Sequence, residues 1–85
     1  TEPLKLENDY RQIYTALFCP KSKIIACGVR PIIEGVIKKD RIDLWNLETG
    51  TCFKSFPTKK PYILKFSPDA TLLLSGCNKR HIDLW

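Results

Sequence analysis

The stretch Ile42-Asp-Leu-Trp45 recurs later in the chain as Ile82-Asp-Leu-Trp85, and this repetition decides how the chain is interpreted. A second pair of similar segments, Tyr14-Thr-Ala-Leu-Phe18 and Tyr62-Ile-Leu-Lys-Phe66, is spaced more widely, by eight positions. Each member of this pair is followed by a residue and a proline, then an apolar run that ends at a glycine. Self-similarity of this kind is typical of repeat architectures. We therefore interpret residues 13–85 as two copies of one unit, the first holding eight extra residues.

Each copy has the residue pattern of β-strands joined by turns. In Phe66-Ser-Pro-Asp-Ala70 an apolar segment ends in turn residues, because Pro presets φ and Asp bonds to its own backbone. Residues 72–75 form a continuous apolar run before Gly76, which is typical of a strand covered on both faces. We predict an all-β chain with strands at residues 13–18, 24–29, 41–47, 51–56, 62–66, 72–77 and 81–85.

The two copies resemble repeats of the WD family. Residues 66–76 followed by 82–85 are similar to the family's first turn, second strand and third strand, and residues 42–50 to its third strand and the turn after it. The likeness covers residues 14–85, with a spacing near the family's period of roughly 40–45 residues. It implies antiparallel four-stranded blades of a β-propeller, of which this chain supplies about two.

The resemblance also implies a division of the chain. Residues 1–12 would be the end of a preceding blade or a linker, with residues 4–6 as its last strand. Residues 13–56 would be the first blade, and residues 57–85 a second blade lacking its last strand. A ring needs about 4–8 blades, so the rest would lie in further sequence or in other chains.

Four departures from the family pattern concern hydrogen bonding. Asn46 stands where an Asp usually follows the Trp, Ala70 replaces a common turn Gly, and Lys79 falls where a structural Asp is usual. The loop before the second copy has no Gly-His pair. The family's His–Ser–Trp–Asp network therefore cannot be complete, and we expect its remnants at Ser75 and Trp85. Structural roles are expected for Trp45, Trp85, Ser75, Asp43 and Asp83.

The eight extra residues lie within residues 29–40. Ile32-Ile33 and Val36-Ile37 flank Glu34-Gly35, a pattern that predicts two strands around a tight turn. The second and third strands of the first blade would then extend as a hairpin arm. Its apolar tip either docks a partner or folds onto the protein itself.

Charge suggests a second kind of surface. The net charge is +5. In the family's architecture the loops before the first strand and after the second strand of each blade share one rim. Those loops carry the whole excess of positive over negative residues. Clustering of this kind favours an anionic partner, although loops are also where charges ordinarily lie. The candidate partner-binding residues are Ile32, Ile33, Glu34, Val36, Ile37, Lys38, Lys39, Arg41, Lys59, Lys60, Lys79 and Arg80.

Chemistry-bearing motifs are few. The four cysteines form no C-x-x-C pair and the only histidine is His81, so neither a zinc site nor a nucleophile–base pair is predicted. The glycines form no phosphate-cradling motif. We expect no cofactor, no metal, no catalytic residue and no transmembrane segment, and we expect reduced thiols in a cytoplasmic or nuclear protein.

The sequence thus predicts a non-catalytic scaffold that binds other protein subunits and the remaining propeller blades. The alternative is a propeller whose basic rim binds phosphate groups of nucleic acid or of phosphoinositide headgroups. An acidic protein would also fit such a rim.

Overall fold

A computed structural model describes residues 10–59, 61–76 and 82–85. Every regular element in these ranges is a β-strand, and all pairings are antiparallel, which confirms the all-β class. The strands are β1 (Tyr10–Phe18), β2 (Ile24–Ile33), β3 (Val36–Ile37), β4 (Arg41–Asn46), β5 (Thr51–Pro57), β6 (Ile63–Phe66), β7 (Leu73–Gly76) and β8 (Ile82–Leu84). The strand predicted at residues 4–6 and the candidates Lys60, Lys79 and Arg80 lie outside the described residues, as do Cys77 and His81.

The strands form two sheets that follow the two sequence copies. The first sheet has the order β1-β2-β4-β5, with the two-residue β3 attached to the end of β2. The second has the order β6-β7-β8. Apart from β3, neighbours in each order are also neighbours along the chain, as expected when short turns join antiparallel strands. The turn at Gly50 uses a φ of 72°, a left-handed conformation that favours glycine.

Strand pairing is equivalent in the two sheets. In the first, Gly28 pairs with Ile42 and Cys27 with Asp43. In the second, Gly76 pairs with Ile82 and Ser75 with Asp83. Gly28 and Gly76 match at the wider repeat spacing, and their partners Ile42 and Ile82 match at the narrower one. The same pairing of two strands therefore occurs in both copies, as the sequence repeat predicts. The eight extra residues therefore lie outside the paired region and leave its register unchanged.

The main core lies between the two sheets. Ala26 and Ile42 of the first sheet are buried against Leu64 and Leu73 of the second. Because side chains alternate between the faces of a strand, these residues define one face of each sheet. Partly buried side chains surround the cluster: Leu17, Leu44, Phe56, Phe66 and Trp85.

Two contacts between aromatic rings join the sheets at the margin of the main core. Phe56 stacks on Trp85 with 4.8 Å between ring centroids. Tyr14 meets Tyr62 edge-on at 5.0 Å. Aromatic pairs in these geometries contribute about 0.5–1.5 kcal/mol beyond the area that they bury. Trp45 and Trp85 thus serve different packing clusters, since Trp45 is buried with Cys27 and Val29 on the far face of the first sheet.

One expectation about β7 holds for only one of its faces. The run at residues 72–75 predicts a strand covered on both sides. Leu73 and Ser75 are indeed buried, at 4% and 1% exposure. Leu72, just before the strand, is 46% exposed, and Leu74 is only partly buried. The apolar run therefore extends onto a face of the second sheet that the described chain leaves uncovered.

Candidate interaction surfaces

The predicted hairpin arm is present in the structure. β2 continues to Ile33, whereas its pairing with β4 ends at Val29. Beyond that point Ile32 pairs with Ile37 and Ile33 with Val36. We call residues 30–39 the arm.

The tip of the arm is a two-residue turn formed by Glu34 and Gly35. Their φ angles are 51° and 77°, the positive values that a type I′ hairpin turn requires at both central positions. Glycine adopts such a value at little cost, whereas Glu34 is held there against its own preference. The turn therefore fixes the register of the arm.

The arm presents apolar side chains to solvent. Ile33, Val36 and Ile37 are 45%, 55% and 53% exposed, and Ile32 is partly buried. Because Ile33 and Val36 form a cross-strand pair, they share one side of the arm, and Ile32 and Ile37 share the other. Both sides of this short ribbon are consequently apolar.

A buried carboxylate anchors the base of the arm. Asp40 is 7% exposed, and its Oδ1 accepts hydrogen bonds from Tyr14 Oη at 2.9 Å and from Arg30 Nε at 2.8 Å. Its carbonyl oxygen accepts a bond from the Thr58 amide at 3.3 Å. Burial and the Asp40 carboxylate raise the pKa of Tyr14, and Asp40 raises the pKa of Arg30. Asp40 thereby connects the arm to β1 and to the segment that leads into the second sheet.

This anchor brings lysines from two loops together. Lys38 and Lys39 are exposed at the base of the arm, and Lys59 is exposed next to Thr58. Since the Thr58 amide bonds to Asp40, Lys39 and Lys59 are each one residue away from the same hydrogen-bonded pair. None of the three lysines forms an ion pair within the described part of the chain.

Two arginines next to the arm, Arg30 and Arg41, are bound to carboxylates. Arg30 pairs with Asp40, as above. Arg41 donates from Nε to Asp43 Oδ1 at 2.7 Å and from Nη2 to Asp43 Oδ2 at 3.1 Å. A bidentate pair with a carboxylate uses two of the five N–H donors of a guanidinium and neutralises its charge. Arg41 therefore belongs to the interior network, and the charge that remains available on this side comes from lysines.

Asp43 is the centre of that network. It is fully buried, and it also accepts bonds from Tyr10 Oη and from Ser55 Oγ, each at 2.7 Å. The indole of Trp45 donates to Tyr10 Oη at 3.0 Å. Burial, and then the Asp43 carboxylate, raise the pKa of Tyr10 strongly. Side chains from β1, β4 and β5 are thus joined through one carboxylate, because each of them reaches the face of the sheet on which Asp43 lies.

The corresponding positions in the second sheet are arranged differently. Trp85 donates from Nε1 to Ser75 Oγ at 2.9 Å, so these two residues form the hydrogen bond expected of them. Asp83 is exposed, although it occupies the position equivalent to Asp43. The second sheet has no described strand equivalent to β5, which in the first sheet supplies Ser55.

An apolar surface surrounds this incomplete edge. Ile63, Ile82 and Leu84 are 54%, 70% and 62% exposed. Next to them is an open groove of about 250 Å³. Its lining residues are Lys65, Phe66, Ser67, Pro68, Leu72, Leu74 and Leu84. We call this region the open face of the second sheet.

Sequence reasoning missed the roles of Tyr10, Arg30 and Ser55. The partner of Tyr10 and Ser55 lies on another strand and that of Arg30 in the loop before β4, and only the position of Asp43 relative to Trp45 gave any signal for such a network. Cys19, Cys27 and Cys52 are free thiols. Among the described residues no group of three His, Cys, Asp or Glu side chains is arranged to hold a metal ion. The same residues include no helix long and apolar enough to cross a membrane.

Comparison with known proteins identified no relative. No family model, no curated protein and no solved structure matches the chain.

Proposed function

We propose that the chain is part of a non-catalytic WD-repeat scaffold, built from blades of a β-propeller, that mediates protein–protein interactions within a multi-subunit assembly. The observation that carries this proposal is the unequal covering of two equivalent strands. Ile42 on β4 is fully buried, whereas Ile82, its counterpart on β8, is 70% exposed. The pairing register gives the two residues the same place in their sheets.

The cause of this difference is what packs on each sheet. The first sheet has β5 along the edge of β4 and the second sheet on its face. The second sheet has neither among the described residues. An exposed apolar edge strand is a template for further pairing, and natural proteins normally cover or charge such edges. Of the three residues of β8 only Asp83 is charged.

The repeat indicates what would cover this surface. In the first sheet the equivalent face receives another sheet, through Leu64 and Leu73. The second sheet would likewise receive a β-sheet from a neighbouring blade or subunit. Each additional unit buries the apolar face of the one before it, as expected for repeat arrays that cannot bury their faces alone. The free thiols of Cys19, Cys27 and Cys52 are in keeping with a reducing cytoplasmic or nuclear location.

Site-specific photo-crosslinking tests the proposal. A benzoylphenylalanine replaces Leu84 on the open face, and a matched chain carries it at Glu48, an exposed position in the turn after β4. We expect Leu84 adducts with one or a few proteins, identified by mass spectrometry, that Glu48 does not form. Each identified protein is then purified, and its affinity is measured for the chain and for Leu84→Lys.

We expect Leu84→Lys to weaken binding at least tenfold, because it places a charge in an apolar interface. Equal adducts at Leu84 and Glu48, or an unchanged affinity of Leu84→Lys for the identified proteins, would contradict the scaffold proposal.

The alternative, a rim that binds phosphate groups, has less support. Arg30 and Arg41 provide the guanidinium groups best suited to phosphate, but both are bound to aspartates. The remaining lysines lie beside exposed apolar side chains, an arrangement that better suits a protein partner.

A further inference from the structure

Within the described residues the arm combines three properties: a strand edge that no other strand pairs with, exposed apolar side chains, and adjacent lysines that form no ion pair. We propose that the edge of β3 binds an extended acidic peptide segment of a partner protein by β-strand addition. This inference gives the proposed scaffold a second contact, separate from the open face of the second sheet.

The backbone of β3 supplies the first part of the argument. The Lys38 amide donates to the Pro31 carbonyl oxygen at 2.8 Å, so it points towards β2. Inward and outward hydrogen bonding alternate along an antiparallel strand. The N–H and C=O of Ile37, the preceding residue, therefore point away from β2 and are directed to the outer edge.

The course of β5 leaves that edge accessible. β5 covers β4 as far as the pair Arg41–Pro57 and ends there. The chain then turns, and the Thr58 amide bonds to the Asp40 carbonyl oxygen instead of continuing along the arm. Within the described ranges no strand pairs with the outer edge of β3. An incoming strand would thus continue the line of β5 along the arm.

Side chains determine which strand would fit. Val36 and Ile37 expose more than half of their surface, and an added strand with alternate apolar residues would cover one side of them. Lys38, Lys39 and Lys59 lie at the base of the arm, and the carboxylate of Asp40, which follows Lys39 in the sequence, is bound by Arg30. Glu34 at the tip is the arm's only acidic residue. Charge complementarity therefore selects a segment with acidic residues at the end that lies near these lysines.

An apolar edge also argues against a nucleic acid or a lipid headgroup as the natural ligand. Phosphate groups would be bound by the lysines but would leave the Ile37 backbone groups and the apolar side chains without partners. Aromatic side chains for base stacking are lacking on the described arm, residues 30–39. A peptide uses all three properties of the site.

The test measures binding of a labelled seven-residue peptide that alternates Glu and Val, by fluorescence anisotropy with the full chain. The same peptide with Gln in place of Glu is the uncharged comparison. We expect the Gln peptide to bind at least tenfold more weakly, and the affinity for the Glu peptide to fall as salt rises from about 50 to about 500 mM.

Two variants separate backbone pairing from charge. Ile37→Pro removes the outward N–H while keeping an apolar ring, and a proline is tolerated at a strand edge whose amide is unpaired. We expect it to weaken peptide binding about tenfold, whereas Ile37→Val leaves binding within twofold. The double variant Lys38→Glu with Lys39→Glu should abolish binding. Its matched control is Lys21→Glu with Lys23→Glu, which makes the same charge change in the turn before β2.

The inference is overturned if the Glu peptide does not bind at millimolar concentration, or if Ile37→Pro binds it as well as the unmodified chain does. It is also overturned if an oligonucleotide or phosphatidylserine vesicles bind more tightly than the peptide through the same lysines. Circular dichroism and thermal melting establish that each variant is folded. Leu84→Lys should leave peptide binding unchanged, so failure at the arm is distinguishable from failure of the proposed scaffold surface.

Discussion

Gly28 in the first sheet lies directly against Pro61, the residue that leads into the second sheet. A Cβ added to Gly28 would overlap the Pro61 carbonyl oxygen and would lie 2.8 Å from the Cγ of Pro61. Both residues are buried. The two sheets approach this closely only because position 28 has no side chain.

The first prediction concerns this contact. Gly28→Ala should lower the free energy of unfolding by about 1–3 kcal/mol, the usual cost of forcing extra volume into a packed core. The clash is with backbone, so rotation of a side chain cannot relieve it. Urea denaturation followed by circular dichroism measures the change. Gly50→Asn is the control, because a Cβ there meets nothing within 4 Å and Asn tolerates its φ of 72°. Equal losses in the two variants would show that the approach of the sheets does not depend on Gly28.

The second prediction compares two aspartates at equivalent positions. Asp43→Asn should destabilise the protein by about 2 kcal/mol, because hydrogen bonds to a buried charged group are worth more than neutral ones. The variant leaves Arg41, Tyr10 and Ser55 with a neutral partner. Asp83→Asn should change stability by less than about 0.5 kcal/mol, since Asp83 is exposed. Similar effects of the two substitutions in urea denaturation would contradict the importance assigned to the Asp43 network.

The third prediction concerns the tip of the arm. Glu34→Asn should stabilise the protein by roughly 0.5 kcal/mol, because Asn-Gly is the preferred pair for a turn with positive φ at both positions. The measurement is thermal unfolding. Glu34→Val, which places a β-branched residue at a φ of 51°, should lower stability instead. If both substitutions acted in the same direction, the turn would not have this conformation in solution.

The fourth prediction concerns alkaline pH. Burial, then the charge of Asp43, raises the pKa of the Cys27 thiol to about 11 from an ordinary value of 9.0. Between these pH values the unfolded chain loses this proton and the folded chain keeps it, so stability must fall as pH rises through the window. Cys27→Ala should flatten this part of the stability–pH curve. Tyr10, whose pKa is also raised, should extend the decline to higher pH.

The fifth prediction compares the reactivity of the Cys19 thiol with that of the Cys27 thiol. Although partial burial opposes it, bonds from the Ser22 hydroxyl and from the backbone amides of Lys21 and Ser22 lower the pKa of Cys19. Iodoacetamide at pH 8 should therefore modify Cys19 before Cys27, as mass spectrometry of the peptides would show. Faster modification of Cys27 would mean that its side of the first sheet opens readily.

Much of the fold could be predicted from local pattern. Turn residues and apolar runs located every described strand to within a few residues, because these signals are local in the chain. The mismatch between the two repeat spacings located the arm. Partners across the sheet could not be predicted in this way. Tyr10 lies 33 residues from Asp43 and before the strand expected at residues 13–18, so nothing nearby in the sequence connects them.

The candidate surface shows the same limit. A count of charges treats Arg30 and Arg41 as available to a partner, and only three-dimensional pairing shows that Asp40 and Asp43 occupy them. The hairpin formed by Ile32, Ile33, Val36 and Ile37 was predictable from its alternation around Glu34-Gly35, but the sequence left open whether its tip is exposed or folds onto the protein. Whether a charged side chain is free depends on its neighbours in space, which composition does not record.

The equal registers of β2 with β4 and of β7 with β8 have a consequence for how such a chain can change over time. Gly28 pairs with Ile42 in the same way as Gly76 pairs with Ile82, although the first connection is eight residues longer. The pairing of the two strands therefore does not depend on the number of residues that connect them. Residues 32–39 of the first connection can lengthen, shorten or be exchanged for another sequence while the pairing of β2 with β4 and the contact between Arg30 and Asp40 are retained. A binding specificity carried there can therefore be gained or replaced by insertion alone, without compensating substitutions in the core.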